Sequence, residues 1–136
     1  LNEMLEVADA VSVQMIYASR YRGLLGERIL SSCKPGQLWT SISRAALFDL
    51  DALSEVLRNG RIGALMMDSD DEEIYAPDSP LQGLDNVCVT PRLAPYTHES
   101  QLRGSWYLVD RIHETLMMSE ARGPGGLLDS EPMPFA

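Results

Sequence analysis

The stretch DLDALSEVLRNGRIGALMM, residues 49–67, decides the fold class. Asp49 is suited to cap a helix, because its carboxylate can accept from the first free backbone N–H groups, and Leu50, Leu53 and Leu57 then share one face. Asn59-Gly60 ends that helix with a pair that tolerates left-handed backbone. Ile62 to Met67 follows as a short apolar run, the pattern of a strand buried in a parallel sheet. A helix that feeds directly into such a strand is one step of an alternating α/β repeat.

The same alternation extends in both directions. Upstream, Leu38 to Ser43 reads as a strand, although Thr40, Ser41 and Ser43 make it polar for a buried one. Before it, Gly23-Leu24-Leu25-Gly26 leads into a short helix through Cys33, stopped by Lys34-Pro35-Gly36. Further back, Val11 to Ile16 is a short apolar strand preceded by a helix carrying Met4, Leu5, Val7 and Ala8 at helical spacing. Downstream, an acidic, proline-containing loop separates the third strand from Val87 to Thr90, the fourth. Thr97 then caps a long helix whose stripe of Leu102, Trp106, Val109, Ile112 and Leu116 reads as core. After Ala121, Gly123-Pro124-Gly125-Gly126 and the Pro132 and Pro134 segment break regular structure, so 121–136 reads as a flexible tail. Strands alternating with helices imply an α/β fold with a parallel sheet covered on both faces.

Composition narrows the function classes. Eleven basic against 20 acidic residues leave a formal charge of −9 on 136 residues, which argues against binding nucleic acid or an anionic membrane surface through a general positive field. No apolar stretch is long enough to span a bilayer. The two cysteines, Cys33 and Cys88, have no metal-ligand spacing and form no disulfide-dense framework, so a cytoplasmic location and no metal site are expected. The acidic run Asp68, Asp70, Asp71, Glu72 and Glu73 reads, taken alone, as a solvated loop.

Order and spacing then carry a resemblance. Ser43-Arg44-Ala45-Ala46-Leu47-Phe48-Asp49, Gly60-Arg61-Ile62 leading to Asp68, Asp78-Ser79-Pro80-Leu81, and Asn86-Val87-Cys88-Val89-Thr90-Pro91-Arg92 together resemble the C-terminal half of the NAD-binding domain of D-isomer-specific 2-hydroxyacid dehydrogenases. The resemblance covers approximately residues 5–120. It implies the C-terminal half of a doubly wound, Rossmann-type sheet of about four strands. Residues 1–120 would then be a partial NAD-binding domain that lacks the phosphate-cradling G-x-G-x-x-G half. Val11 to Ile16 becomes the strand beside the missing N-terminal half, with an apolar edge open to recruitment.

The resemblance also assigns roles. Arg44, just beyond a strand's C-terminal end, matches the arginine that binds the substrate carboxylate, a task its planar fork suits. Asp68 matches the aspartate that contacts the nicotinamide carboxamide, and Asp71 falls where the family has the glutamate that pairs with a catalytic histidine. Thr90-Pro91-Arg92 matches Thr-Pro-His, so Arg92 stands at the proton donor's position. Histidine gives and recovers a proton near neutrality, whereas arginine stays charged and can only stabilise an oxyanion. Met15, Ile42, Ser43, Ala94 and Pro95 match cofactor-facing positions, served mostly by backbone and apolar contacts.

Two functions are consistent with this pattern. One is an NAD- or NADP-dependent oxidoreductase acting on a 2-oxo/2-hydroxy acid pair, a homodimer when intact, with Asp71 orienting Arg92. The other is a catalytically silent NAD-sensing or scaffold module in which an Arg92–Asp71 ion pair closes the old site. His98, near the start of the last helix, is a remote substitute for the missing acid.

Overall fold

The computed structural model describes residues 1–122. The chain divides into two compact units, Leu1–Ala94 and Pro95–Ala136. The first contains helix α1 (Asn2–Val7), strand β1 (Ala10–Val13), α2 (Glu27–Leu30), β2 (Gln37–Ser41), α3 (Leu50–Arg58), β3 (Ile62–Asp68), α4 (Glu72–Tyr75) and β4 (Val87–Thr90). The second contains α5 (His98–Arg122). The part of the expected tail from residue 123 onward lies outside the described residues.

All four strands are parallel and follow one another in chain order, β1-β2-β3-β4. Pairing of Val13 with Ser41, Ser41 with Met67 and Asp68 with Thr90 brings the strands' C-terminal ends to one rim. The loops after β1, β2, β3 and β4 therefore emerge side by side. That is where open α/β sheets bind ligands.

The capping expectation for α3 holds: Ala52 N–H donates to the Asp49 carboxylate at 3.1 Å. The helix buries Leu53, Val56 and Leu57, and stops where Gly60 takes φ 75°. On β2, Gln37, Trp39 and Ser41 point inward while Leu38 and Thr40 point out. Gln37 is a buried polar residue with every bond made. Its amide nitrogen donates to the Leu5 and Ala8 carbonyls at 3.0 and 2.7 Å, closing the end of α1, and its oxygen accepts from the Trp39 indole at 2.9 Å. Such satisfaction removes the cost of burying an amide. Trp39 meets Phe48 edge to face, and Leu5, Leu30, Leu47, Leu53, Ile62, Leu65 and Met67 complete a single core.

Three expectations need correction. Within the first unit the helices cover one face of the sheet, leaving Leu38 and Met66, at 55% and 56% exposure, on the other. The acidic segment is not simply a solvated loop: it forms α4, with Ile74 and the carboxylate of Asp71 buried. In the second unit, Ser100 N–H donates to Thr97 Oγ1 at 3.2 Å as a cap should. However, Leu102, Trp106, Val109, Ile112 and Leu116 are all exposed among the described residues. A helical period identifies an apolar face without identifying what packs on it. Among the described residues, no helix is long and apolar enough to cross a membrane.

Candidate active site

Two adjoining cavities open at the rim of the sheet, of about 580 and 320 Å³. Tyr17, Arg44, Asp70 and Arg92 line both. The larger adds Arg22, Asp71 and Glu73; the smaller adds Met15, Ile42, Ser43 and Asp68. Of the expected substrate-handling residues, Arg44 and Arg92 line both cavities and Asp71 the larger alone, whereas four expected cofactor-facing residues line the smaller alone.

Arg44 leaves the end of β2 and turns back over α4. Its Nε donates to Asp71 Oδ1 at 2.9 Å, and its Nη2 donates to the same oxygen. The other oxygen, Oδ2, accepts from Ala45 N–H at 2.6 Å and Ser69 Oγ at 3.1 Å. Burial pushes the Asp71 carboxyl up, but bonds from Arg44, Ala45 and Ser69, with the Arg44 charge, outweigh it and hold the group below the usual aspartate range. Asp71 in turn raises the proton affinity of Arg44. The outcome is a guanidinium fixed by a buried anion while its side chain remains 57% exposed. The guanidinium lines both cavities, and a planar donor fork of this kind suits a carboxylate.

Arg92 is arranged differently. Its nearest carboxylate is that of Asp70, at 3.5 Å, and both side chains are more than half exposed. The expected Arg92–Asp71 pair is absent because Asp71, one methylene shorter than glutamate, is already committed to Arg44, Ala45 and Ser69. Arg92 also has φ 52°, a left-handed conformation unusual for a residue with a Cβ. Asp68 holds that turn in place. Its Oδ1 accepts from Thr90 Oγ1 and, at 2.7 Å, from Leu93 N–H, and its Oδ2 accepts from Ala94 N–H at 2.9 Å. Desolvation raises the Asp68 pKa, but these bonds and the Arg92 charge leave it lowered overall. Asp68 is thus an ionised brace between β3 and the β4 turn.

Ser43 is also a brace. It accepts from Met15 N–H at 2.6 Å and donates to Met15 C=O at 2.9 Å, stapling the loop after β1 to the loop after β2. Met15 and Ile42 then offer exposed apolar surface beside Asp68. Two apolar side chains beside a carboxylate acceptor have the chemistry to hold the nicotinamide end of a dinucleotide. Ala94 joins the cluster through its backbone, whereas Pro95 begins the second unit. Both histidines, His98 and His113, are on α5.

Sequence reasoning missed four residues here. Ser69 supports Asp71, and Asp70 rather than Asp71 faces Arg92. Arg22 reaches Glu73 at 2.8 Å across a separation of 51 residues, for which there is no local signal. Tyr17 was the most accessible omission, because it follows Met15 by two residues on a loop leaving a strand's C-terminal end.

The fold and rim define a dinucleotide-type α/β half-domain with an anchored arginine. Residues 1–94 match the model for the D-isomer specific 2-hydroxyacid dehydrogenase NAD binding domain, and the chain belongs to that family. It is 37% identical over 116 residues to (S)-sulfolactate dehydrogenase of Chromohalobacter salexigens, covering 85% of this chain and 38% of that protein. Glyoxylate reductase of Aeropyrum pernix is 28% identical, with 96% and 38% covered. Among solved structures, D-lactate dehydrogenase from Aquifex aeolicus, complexed with NAD and lactic acid, aligns with a TM-score of 0.67 at 26% identity, covering 91% of this chain and 42% of that one. The chain thus spans less than half the length of each of these relatives.

Proposed function

We propose that the protein carrying this chain is an NAD- or NADP-dependent oxidoreductase that interconverts a 2-oxo and a 2-hydroxy acid. Arg44 binds the acid's carboxylate, Met15, Ile42 and Asp68 receive the nicotinamide, and Arg92 stabilises charge developing on the C2 oxygen. The observation that carries this reading is the anchoring of Arg44 by buried Asp71 beside an apolar groove that ends on Asp68. A bound nicotinamide supplies or accepts the hydride; this chain orients the acid beneath it and stabilises oxyanion charge.

Further parts of the reading come from the relatives. Their greater length supports a phosphate-binding half outside residues 1–120, and a homodimer is proposed as the intact assembly. Two free cysteines, one of them exposed Cys88, suit the reducing cytoplasm.

The test is steady-state reduction of a panel of 2-oxo acids by the full-length protein, with NADH and NADPH, alongside calorimetric cofactor titration. Turnover is expected, and Arg44→Lys should raise KM at least about tenfold while leaving cofactor affinity unchanged, because lysine lacks the planar fork. Tight cofactor binding without turnover would instead identify the silent sensing or scaffold module. Absence of both would refute the reading.

A further inference from the structure

With arginine at the family's acid position, reduction of a carbonyl leaves a question of where the proton comes from. The donor must reach the C2 oxygen of a substrate held by Arg44 while the same carbon faces the nicotinamide. Among the described residues, Tyr17, Arg44, Asp70 and Arg92 line both cavities and so stand at the seam where such a donor is needed. Arg44 and Arg92 remain cations, and Asp70 serves Arg92 as an acceptor. The Tyr17 hydroxyl is the one neutral O–H donor among the four.

Its setting is specific. The Ser43 staple fixes Met15 through both its N–H and C=O, and so fixes the loop that carries Tyr17 two residues later. The Arg44 guanidinium lies over the Tyr17 ring, 5.7 Å from the ring centroid. Arg22, held by Glu73 at 2.8 Å, lines the larger cavity with Tyr17.

Resting on the oxidoreductase reading, we propose that Tyr17 is the proton donor of the reaction, a catalytic residue that takes the place of the family histidine. As hydride reaches C2, the carbonyl π pair passes to oxygen and the Tyr17 O–H bond breaks. Its proton forms the new hydroxyl, and its electron pair remains on the phenolate. The 2-oxo acid is reduced and the dihydronicotinamide oxidised. Water in the open cavity then returns a proton to Tyr17. Oxidation of the 2-hydroxy acid runs through the same steps in reverse.

Tyr17→Phe in the full-length protein keeps the ring beneath Arg44 and removes only the hydroxyl. The expected result is a fall in kcat of at least about 100-fold, the lower bound of general acid catalysis, with NADH affinity by fluorescence titration unchanged. Oxamate, which presents a carboxylate and an adjacent carbonyl, should bind the NADH complex roughly three- to tenfold more weakly by calorimetry, reflecting one lost hydrogen bond. Tyr17→His, which restores a titrating donor, should recover at least about tenfold of the rate lost in Tyr17→Phe. If the wild type reduces 2-oxo acids and Tyr17→Phe does so within threefold of the same rate, the donor assignment is overturned while the oxidoreductase reading stands. If the wild type reduces none, both fall together.

Discussion

At Asp71, burial and hydrogen bonding act on one carboxylate in opposite directions, and hydrogen bonding wins. Removing the group has a cost separate from the ion pair: it leaves Ala45 N–H buried without its acceptor. Asp71→Ala should therefore lower stability by about 1–3 kcal/mol, the cost of a buried unsatisfied donor, read as a lower urea midpoint at unchanged slope. The same substitution frees Arg44, so carboxylate binding should weaken in parallel. The family resemblance singled out Arg44, Asp68 and Asp71, and all three sit at the rim. Their partners were not legible in the sequence. Arg44 and Asp71 are separated by 27 residues and two intervening elements, and the choice of Arg44 over Arg92 depends on distances set by the sheet.

Among the elements, α3 and β3 follow their local code closely. Asp49→Ala deletes the bond to Ala52 N–H and should destabilise the protein by about 0.5–2 kcal/mol, measured by thermal or urea unfolding. Gly63 illustrates a constraint that no local pattern announces. A Cβ there would lie 3.0 Å from the Gly36 carbonyl oxygen and 3.2 Å from its carbon, both backbone atoms with little room to yield. Gly63→Ala should cost about 1–3 kcal/mol through overpacking, and the same unfolding experiment checks it. Strand β1 ends at Val13, not Ile16, because the ladder to β2 stops at Ser41 and Met15 turns to meet Ser43. The helix reading of α5 was equally sound, yet its apolar stripe is exposed among the described residues.

On the scale of the whole molecule, the two depressed carboxylates couple stability to pH. Asp68 and Asp71 are ionised in the fold at pH values where an unfolded chain would already bind protons. Their contribution is complete well above the ordinary aspartate value of 3.8, and is lost as pH falls through it toward their lower folded values. Acid unfolding followed by circular dichroism should therefore begin at higher pH in Thr90→Val than in the wild type, because losing the Thr90 hydroxyl bond moves Asp68 back toward 3.8.

The family resemblance supplied the residue types expected at the rim, while local sequence determined the alternation of helices and strands, the caps at Asp49 and Thr97 and the turn at Gly60. Those properties arise from periodicity and backbone chemistry within a few residues. Tertiary structure decided which carboxylate serves which guanidinium, that Asp68 and Ser43 act as braces, that part of the acidic run is buried, and that Tyr17 stands between the two cavities. Each depends on separations across four parallel strands, where a methylene's difference in reach decides which partner an atom meets.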